Sequence, residues 1–507
     1  MRNKNKKEKS SRWFILLGIL LAFSYLAFYS ARWCRKKYGD IGFDAVVYTM
    51  FSDLGGTSKS LILNYVKSVL PSTAVLSAVT AFVLFFYSEK HIFLRIGQKF
   101  KMRLYPFGNS VSALLSVILI IALIASASGY VGLDDWIRDY FNDSHIFEEE
   151  YIEPNDVKIT FPERKRNLIY IYLESMENTF FSKELGGGLD VNVMPELYNL
   201  ALENTNFSDS DGVGGCRQIS GATWTMGAMV AQSAGIPLKI SAAVINDNGN
   251  DMSVLPGVTT ITDVLHKNGY YQTFLVGSEA SFAGRGKFFS EHGVDEVYDY
   301  HTAVEEGVIP ENYWEWWGME DKYVYEYAKE KLTELSRRDE PFSFITLTTD
   351  THHIGGYKCS LCEDKYSEQY ENVYACASRQ VTEFLKWLKR QDFYENTTVI
   401  ITGDHCSMDA EYFERNISDD YTRRIYNCFI NSAVESDTVK NREFSQFDMF
   451  PTTLAALGAK IEGNRLGLGV NLFSGDETLA EKYGFDELQS RLLAPSNMYN
   501  RKFIYNE

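Results

Sequence analysis

Asp404 and His405 follow directly on the apolar run VIITG (399–403). A carboxylate beside an imidazole, delivered by the end of a buried β-former run, is half of a divalent-metal site. Taken alone, such a pair is more often an ordinary polar turn. Two further stretches share the pattern. IYIYLES ends in Glu174, and FSFITLTTDTHH ends in His352 and His353. Glu, Asp and His together make a mixed oxygen and nitrogen donor set suited to Mn²⁺, Zn²⁺ or Mg²⁺. Three such endings, rather than one, favour a metal site over three unrelated turns.

These residues need a scaffold that brings distant strand ends together. NLIYIYLES (167–175), YQTFLVG (271–277), FSFITLTTD (342–350) and TTVIITGD (397–404) read as strands. Between them, MPELYNLALEN (194–204), TWTMGAMVAQSAG (223–235), TTITDVLHKNGY (259–270) and ENVYACASRQVTEFLKWLKRQ (371–391) read as helices. Strands alternating with helices predict an α/β domain, a mostly parallel sheet with helices on both faces. Ligands then sit beyond the carboxyl ends of the strands. FDMFPTTLAALG reads as a supporting core helix capped by Asp448. His266, His292 and His301 read as ordinary polar positions.

The chain has 507 residues, more than one ordinary domain needs. Three apolar stretches near its start, Trp13–Ala31, Ser68–Ser88 and Leu104–Leu133, are each long enough to cross a hydrocarbon core. The first 108 residues carry 17 Lys or Arg against 5 Asp or Glu, of 50 and 67 in the whole chain. The acidic remainder excludes nucleic acid as its partner, because phosphate backbones recruit basic surfaces. The expected organisation is a membrane domain over 1–134, a juxtamembrane linker over 135–160 and a catalytic domain over 161–507. Lys and Arg cluster in 1–12 and again at Lys90, Arg95, Lys99, Lys101 and Arg103. By the positive-inside rule both segments stay in the cytoplasm, and residues from about 134 onward lie outside. Arg32, Arg35, Lys36 and Lys37 run against that scheme. Six of the seven cysteines fall in the exported part, where disulfides persist. For Cys359-x-x-Cys362 a structural disulfide is favoured over a redox or zinc half-site, since no second C-x-x-C accompanies it.

ESMEN, GATWTMGAMVAQSAGIPL, FAGRGKFFSEHG, DTHH, ITGDH, FDMFPTTLAALG and RLGLGVNLFSG occur in that order. Over about residues 160–475 the chain thereby resembles the phosphoglycerol transferase family. That family comprises the osmoregulated-glucan phosphoglycerol transferases and the lipoteichoic acid synthases, within the alkaline phosphatase/sulfatase superfamily. The resemblance implies a sulfatase-like catalytic domain outside the cytoplasm of a bacterial cell membrane, anchored by three spans. It implies a divalent metal, usually Mn²⁺ with Mg²⁺ and Zn²⁺ as alternatives, held by Glu174, a nucleophilic threonine, Asp404 and His405. It places Arg285 and His352 on the substrate phosphate. Trp224, next to Thr223, reads either as a wall over the substrate site or as core. The implied donor is phosphatidylglycerol. The implied acceptor is an envelope glycan or a glycerophosphate polymer, reached through a phospho-threonine intermediate.

Thr223 is the favoured nucleophile and fourth metal ligand, because it opens the predicted helix and fits the Gly-x-Thr pattern. Thr225 is the alternative, and counting back from Gly-Ile-Pro puts the family's threonine at Ala222. A phosphoethanolamine transferase would use the same metal with another lipid head group. A sulfatase proper needs Cys or Ser in C/S-x-P-x-R, and none surrounds 216–230. A degenerate, non-enzymatic membrane protein is the remaining reading, and the intact Glu and Asp-His set disfavours it.

Overall fold

The computed structural model describes residues 2–39, 43, 46, 59–86, 92–96, 100–105, 109–140, 144–239 and 253–507. Lys90 and Lys99, and the end of the second apolar stretch at 87–88, lie outside the described residues. The described chain packs as two units, divided at Asp135 and Trp136.

In the first unit, helices α1 (Arg2–Tyr38), α2 (Lys59–Ala81) and α3 (Asn109–Tyr130) carry segments long and apolar enough to cross a membrane. Those segments run over Trp13–Tyr38, Leu61–Leu84 and Ser110–Tyr130. Large apolar side chains such as Trp13, Phe23, Val75 and Ile121 face outward. Water would penalise that surface at roughly 25 cal/mol per Å², and hydrocarbon does not. Polar contacts face inward: Tyr25 Oη meets Thr80 Oγ1 at 2.9 Å, and Trp33 Nε1 donates to Asn64 Oδ1 at 2.9 Å. Strands β1 (Ile92–Ile96) and β2 (Phe100–Tyr105) pair antiparallel between α2 and α3, an element that periodicity did not announce.

The second unit is built on a seven-stranded sheet. Its strands are β3 (Asn167–Leu173), β4 (Gly215–Cys216), β5 (Tyr271–Val276), β6 (Glu296–Tyr298), β7 (Phe342–Leu347), β8 (Thr397–Gly403) and β9 (Ile425–Ile430), in the order β4-β9-β8-β3-β7-β5-β6. The five from β8 to β6 are parallel, and β9 and β4 join antiparallel at one edge. The expected mostly parallel sheet is therefore what forms.

Every residue of β3 and β8 is buried, because helices cover both faces. Leu168, Tyr170 and Tyr172 pack with Met226, Met229 and Val230 of helix α4 (Thr225–Ala234). Ile169, Ile171 and Leu173 face the other way, against Tyr374 and Val381 of helix α5 (Gln369–Leu388). Residues 135–160, expected as a linker, include Ile146 and Phe147, which are fully buried in the core of this unit. Phe147 packs edge-on to Tyr499 and Phe503. The acidic look of that stretch hid a short helix, Ile146–Glu150, with one apolar turn.

Register decides where the chemistry falls. Leu173 of β3 pairs with Gly403 of β8, and Tyr172 with Leu347 of β7. The next residues on the three strands, Glu174, Asp404 and Thr348, thus emerge side by side at the carboxyl edge. All seven cysteines are free thiols, so the expected 359–362 disulfide is not what this structure contains.

Candidate active site

Glu174, Asp404 and His405 are buried and converge, their donor atoms within 4.8 Å of one another. His405 Nε2 lies 3.4 Å from Glu174 Oε1 and 3.4 Å from Asp404 Oδ2. Thr225 completes the group: its Oγ1 donates to Glu174 Oε2 at 3.2 Å and lies 3.3 Å from His405 Nε2. It is Thr225, not Thr223, that the fold brings to this cluster. The helix starts two residues later than the sequence suggests, with Trp224 as an extended N-cap and Thr225 as its first residue. The cause lies upstream. Gly221, at φ +77°, turns the chain, and Ala222 N–H closes that turn on Ile219 O at 3.0 Å. Thr223 still belongs to the approach to the helix. Among the described residues it makes no side-chain hydrogen bond to the cluster. Trp224 is half-buried against the hydrophobic core.

Each of these side chains is held by a neighbour. His405 Nδ1 lies 2.8 Å from Cys406 O, which fixes a proton on Nδ1 and turns Nε2 toward the carboxylates, where it would meet a metal once its own proton is displaced. Asp404 Oδ1 accepts from the backbone N–H groups of Ser175, at 2.7 Å, and His405, at 2.8 Å. Ser175 adopts φ +54°, left-handed for a residue with a side chain, and its Oγ donates to Glu174 Oε1 at 2.7 Å. Thr348 Oγ1 accepts from Glu174 N–H, and Thr351 Oγ1 donates to Glu174 O. A Cβ on Gly403 would stand 1.9 Å from Met176 O, so only glycine lets β8 approach the turn after Glu174.

Sequence reading missed two glutamines. Gln446 is fully buried, accepts from Ile219 N–H at 3.1 Å, and donates to Ala222 O and Asp404 O at 2.8 Å each. It ties the turn before Thr225 to the strand end that carries Asp404. Gln232, on α4, donates to Gly403 O and Asp404 O at 3.0 and 3.2 Å. Nothing in their spacing marks either as part of a site. Asp448, expected as a cap, accepts from Ser445 N–H and from Val470 N–H.

Burial and charge act against each other here. Burial raises the Glu174 carboxyl, but His352, His405 and the Ser175 hydroxyl outweigh it and hold the group well below the usual carboxylate range. Burial and the charge of Glu174 push Asp404 up to about 7. Burial lowers His405, but Asp404 and Glu174 overcompensate and raise it to about 9. Without an ion, the imidazolium itself neutralises the carboxylates. The residues fit a divalent metal on a separate observation. Asp404 Oδ2 is buried without any hydrogen-bond partner, aimed at the space between Glu174 and His405. An orphaned carboxylate oxygen costs several kcal/mol unless a cation meets it. Two carboxylates, one imidazole and a hydroxyl suit Mn²⁺, Mg²⁺ or Zn²⁺.

Arg285 is buried after β5; its Nη2 donates to Ser278 Oγ and to Glu279 O, and its Nε has no partner. Burial brings its guanidinium down to about 10 against the upward pull of Glu174, Asp299 and Asp404. His352 is half-buried, with Nδ1 2.7 Å from His353 O and its ring 4.5 Å from Trp317. Burial lowers its pKa, against the opposite pull of Glu174. His353 stacks on His352 at 4.2 Å. His292 pairs with Asp263 at 2.9 Å.

The chain is 27% identical over 481 residues to a phosphoglycerol transferase I of Escherichia coli, covering 93% of this chain and 58% of that protein. It is 27% identical over 447 residues to a phosphoglycerol transferase I of Citrobacter koseri, covering 87% of this chain and 54% of that one. The chain thus spans little more than half the length of these relatives. In fold it is similar to the integral membrane lipooligosaccharide phosphoethanolamine transferase A of Neisseria meningitidis. The TM-score there is 0.50 at 13% identity, over 88% of this chain and 84% of that one. The model of the sulfatase family matches residues 166–459, more than half of the chain and every strand end described above, and the chain belongs to that family.

Proposed function

We propose that the protein is a metal-dependent phosphoglycerol transferase that moves glycerophosphate from phosphatidylglycerol to an envelope glycan or glycerophosphate polymer. The observation that carries this reading is the Thr225 hydroxyl, 3.2 Å from Glu174 and 3.3 Å from His405 at a helix start. The relatives called phosphoglycerol transferase I support the same reaction class. A Mn²⁺ ion held by Glu174, Asp404, His405 and Thr225 would lower the pKa of the hydroxyl and offset the phosphate charge.

Thr225 Oγ gives up its proton and attacks phosphorus, the bond to the diacylglycerol oxygen breaks as that oxygen takes up a proton, and glycerophospho-threonine remains. An acceptor hydroxyl then displaces Thr225 and takes the glycerophosphate. The first N–H groups of α4 face the phosphate region and favour an anion there. Arg285, with its unpartnered Nε, donates to phosphate oxygens, and His352, whose Nδ1 faces His353 O, donates from Nε2 once the bound phosphate's charge draws a second proton onto the ring. The catalytic unit works outside the cytoplasm of the cell membrane. A reporter that fluoresces only in the cytoplasm is expected to be dark after residue 507 and bright within 90–103, and the reverse pattern inverts this topology.

The test of the reaction uses purified full-length protein, labelled phosphatidylglycerol, Mn²⁺ and candidate acceptors. Diacylglycerol release is expected in the wild type and in Thr223→Ala, and is lost in Thr225→Ala. An adduct of glycerophosphate mass is expected on the peptide containing Thr225. Release of ethanolamine phosphate from phosphatidylethanolamine instead would reassign the donor, and full turnover by Thr225→Ala would remove the covalent step.

A further inference from the structure

We infer that Cys359, Cys362 and Cys376 form a second metal centre, a structural zinc site that clips the loop after β7 to helix α5. Three sulfurs meet here. Cys359 Sγ lies 3.6 Å from Cys362 Sγ and 3.8 Å from Cys376 Sγ, and all three donor atoms fall within 4.8 Å of one another. A tetrahedron with Zn–S bonds of ~2.3 Å has edges of roughly 3.8 Å. The spacing is that of thiolates around one ion. A single disulfide would use two of the three sulfurs and leave the third buried beside it.

Local structure supports an ion in this place. Cys359 and Cys362 flank a tight turn in which Leu361 N–H donates to Cys359 Sγ at 3.4 Å and Cys362 N–H donates to Cys359 O at 3.1 Å. Amides directed at a sulfur stabilise its thiolate. Cys359 and Cys376 are buried, and Cys362 is half-exposed. One helical turn beyond Cys376, the amide of Gln380 lies 3.5 Å from Cys376 Sγ and 3.9 Å from Cys359 Sγ, while its Oε1 is buried without a partner.

A second independent feature lies on the other side of Cys359. Its sulfur is within 4.8 Å of carboxylate oxygens of Glu320 and Asp350, and both side chains keep one buried oxygen with no hydrogen bond. Three thiols, with unsatisfied carboxylates beside one of them, suit zinc, a borderline-soft divalent cation that takes sulfur and oxygen donors together. The three cysteines span 18 residues of sequence, from the loop that carries Asp350 and His352 to the first half of α5. Holding them together fixes the base of the loop that presents His352. This centre is separate from Glu174, Asp404 and His405, and its ion would take no part in the reaction.

The test is elemental analysis and zinc-edge X-ray absorption on the full-length protein in detergent, as wild type, Asp404→Ala and Cys376→Ser. About one zinc per chain with a sulfur shell at ~2.3 Å is expected in the wild type and in Asp404→Ala, and its loss in Cys376→Ser. Since Cys376→Ser can fail to fold, a second arm titrates Asp404→Ala with a thiol-specific mercurial. Release of that zinc in step with modification of the three cysteines supports the site. A wild type with no sulfur-bound metal, or one whose peptides show a disulfide among Cys359, Cys362 and Cys376, overturns it.

Discussion

Gln446→Ala separates the frame of the site from its ligands. The side chain accepts one hydrogen bond, from Ile219 N–H, and donates two, to Ala222 O and Asp404 O, all within 3.1 Å and with no exposure to solvent. At about 1 kcal/mol each, the three bonds contribute about 3 kcal/mol to stability. Ala222 O and Ile219 N–H become buried orphans, whereas Asp404 O keeps Gln232 at 3.2 Å. The larger consequence is positional. Gln446 sets the distance between the turn that starts α4 and the strand end that carries Asp404, hence between Thr225 and the other donors. Loss of an outer partner of this kind lowers metal affinity by about 10- to 100-fold. The assay is Mn²⁺ titration of the metal-stripped protein, followed by the metal dependence of diacylglycerol release. Gln446→Leu fills the same space but makes none of the three bonds, so it should weaken Mn²⁺ as much as Gln446→Ala while leaving a smaller cavity and destabilising the fold less. Wild-type Mn²⁺ affinity in both variants would refute the positioning role.

Other expectations follow from the same geometry. His405 is raised to about 9 without an ion, so its proton stabilises the metal-free fold below about 6.5 and that contribution is lost as pH rises towards 9. A metal must displace this proton, so Mn²⁺ affinity should rise by up to about tenfold per pH unit across that window, and a flat profile would place the proton elsewhere. Gly403→Ala puts a methyl group against Met176 O; thermal unfolding should show a fall in stability, together with lost metal binding. Asp404→Ala should lose Mn²⁺ in elemental analysis, because Glu174 and His405 alone hold the ion loosely.

Three of the four clustered side chains were legible in the sequence. Glu174, Asp404 and His405 each follow an unbroken apolar run, and a run of that length in an alternating α/β pattern is a parallel strand whose end is a ligand position. What the runs do not show is register, and register puts Leu173 opposite Gly403. The threonine that joins the cluster was misplaced for a local reason. Thr223 and Thr225 have the same chemistry two residues apart, and the choice between them depends on where α4 begins. That start is set by Gly221 and by Gln446, which is 227 residues away from Ile219 in the chain. Gln232 and Gln446 carry no periodic or spacing signal. The cysteines carried a signal that was misassigned. C-x-x-C announced a pair, and the third sulfur arrives from a helix face that spacing does not reveal.

The donor atoms of the active site are far apart along the chain. Thr225 lies 51 residues after Glu174, and His405 another 180 residues after Thr225. An unfolded chain cannot gather them without closing loops of that length. They become a site only when β3, β7 and β8 have paired in register and α4 has docked. Metal binding here is therefore a reporter of finished assembly, not a nucleus for it. An ion that binds only the completed sheet adds its binding free energy to the native state alone. Emptying the site would therefore unlock the carboxyl edge of the sheet first, around Glu174 and Asp404.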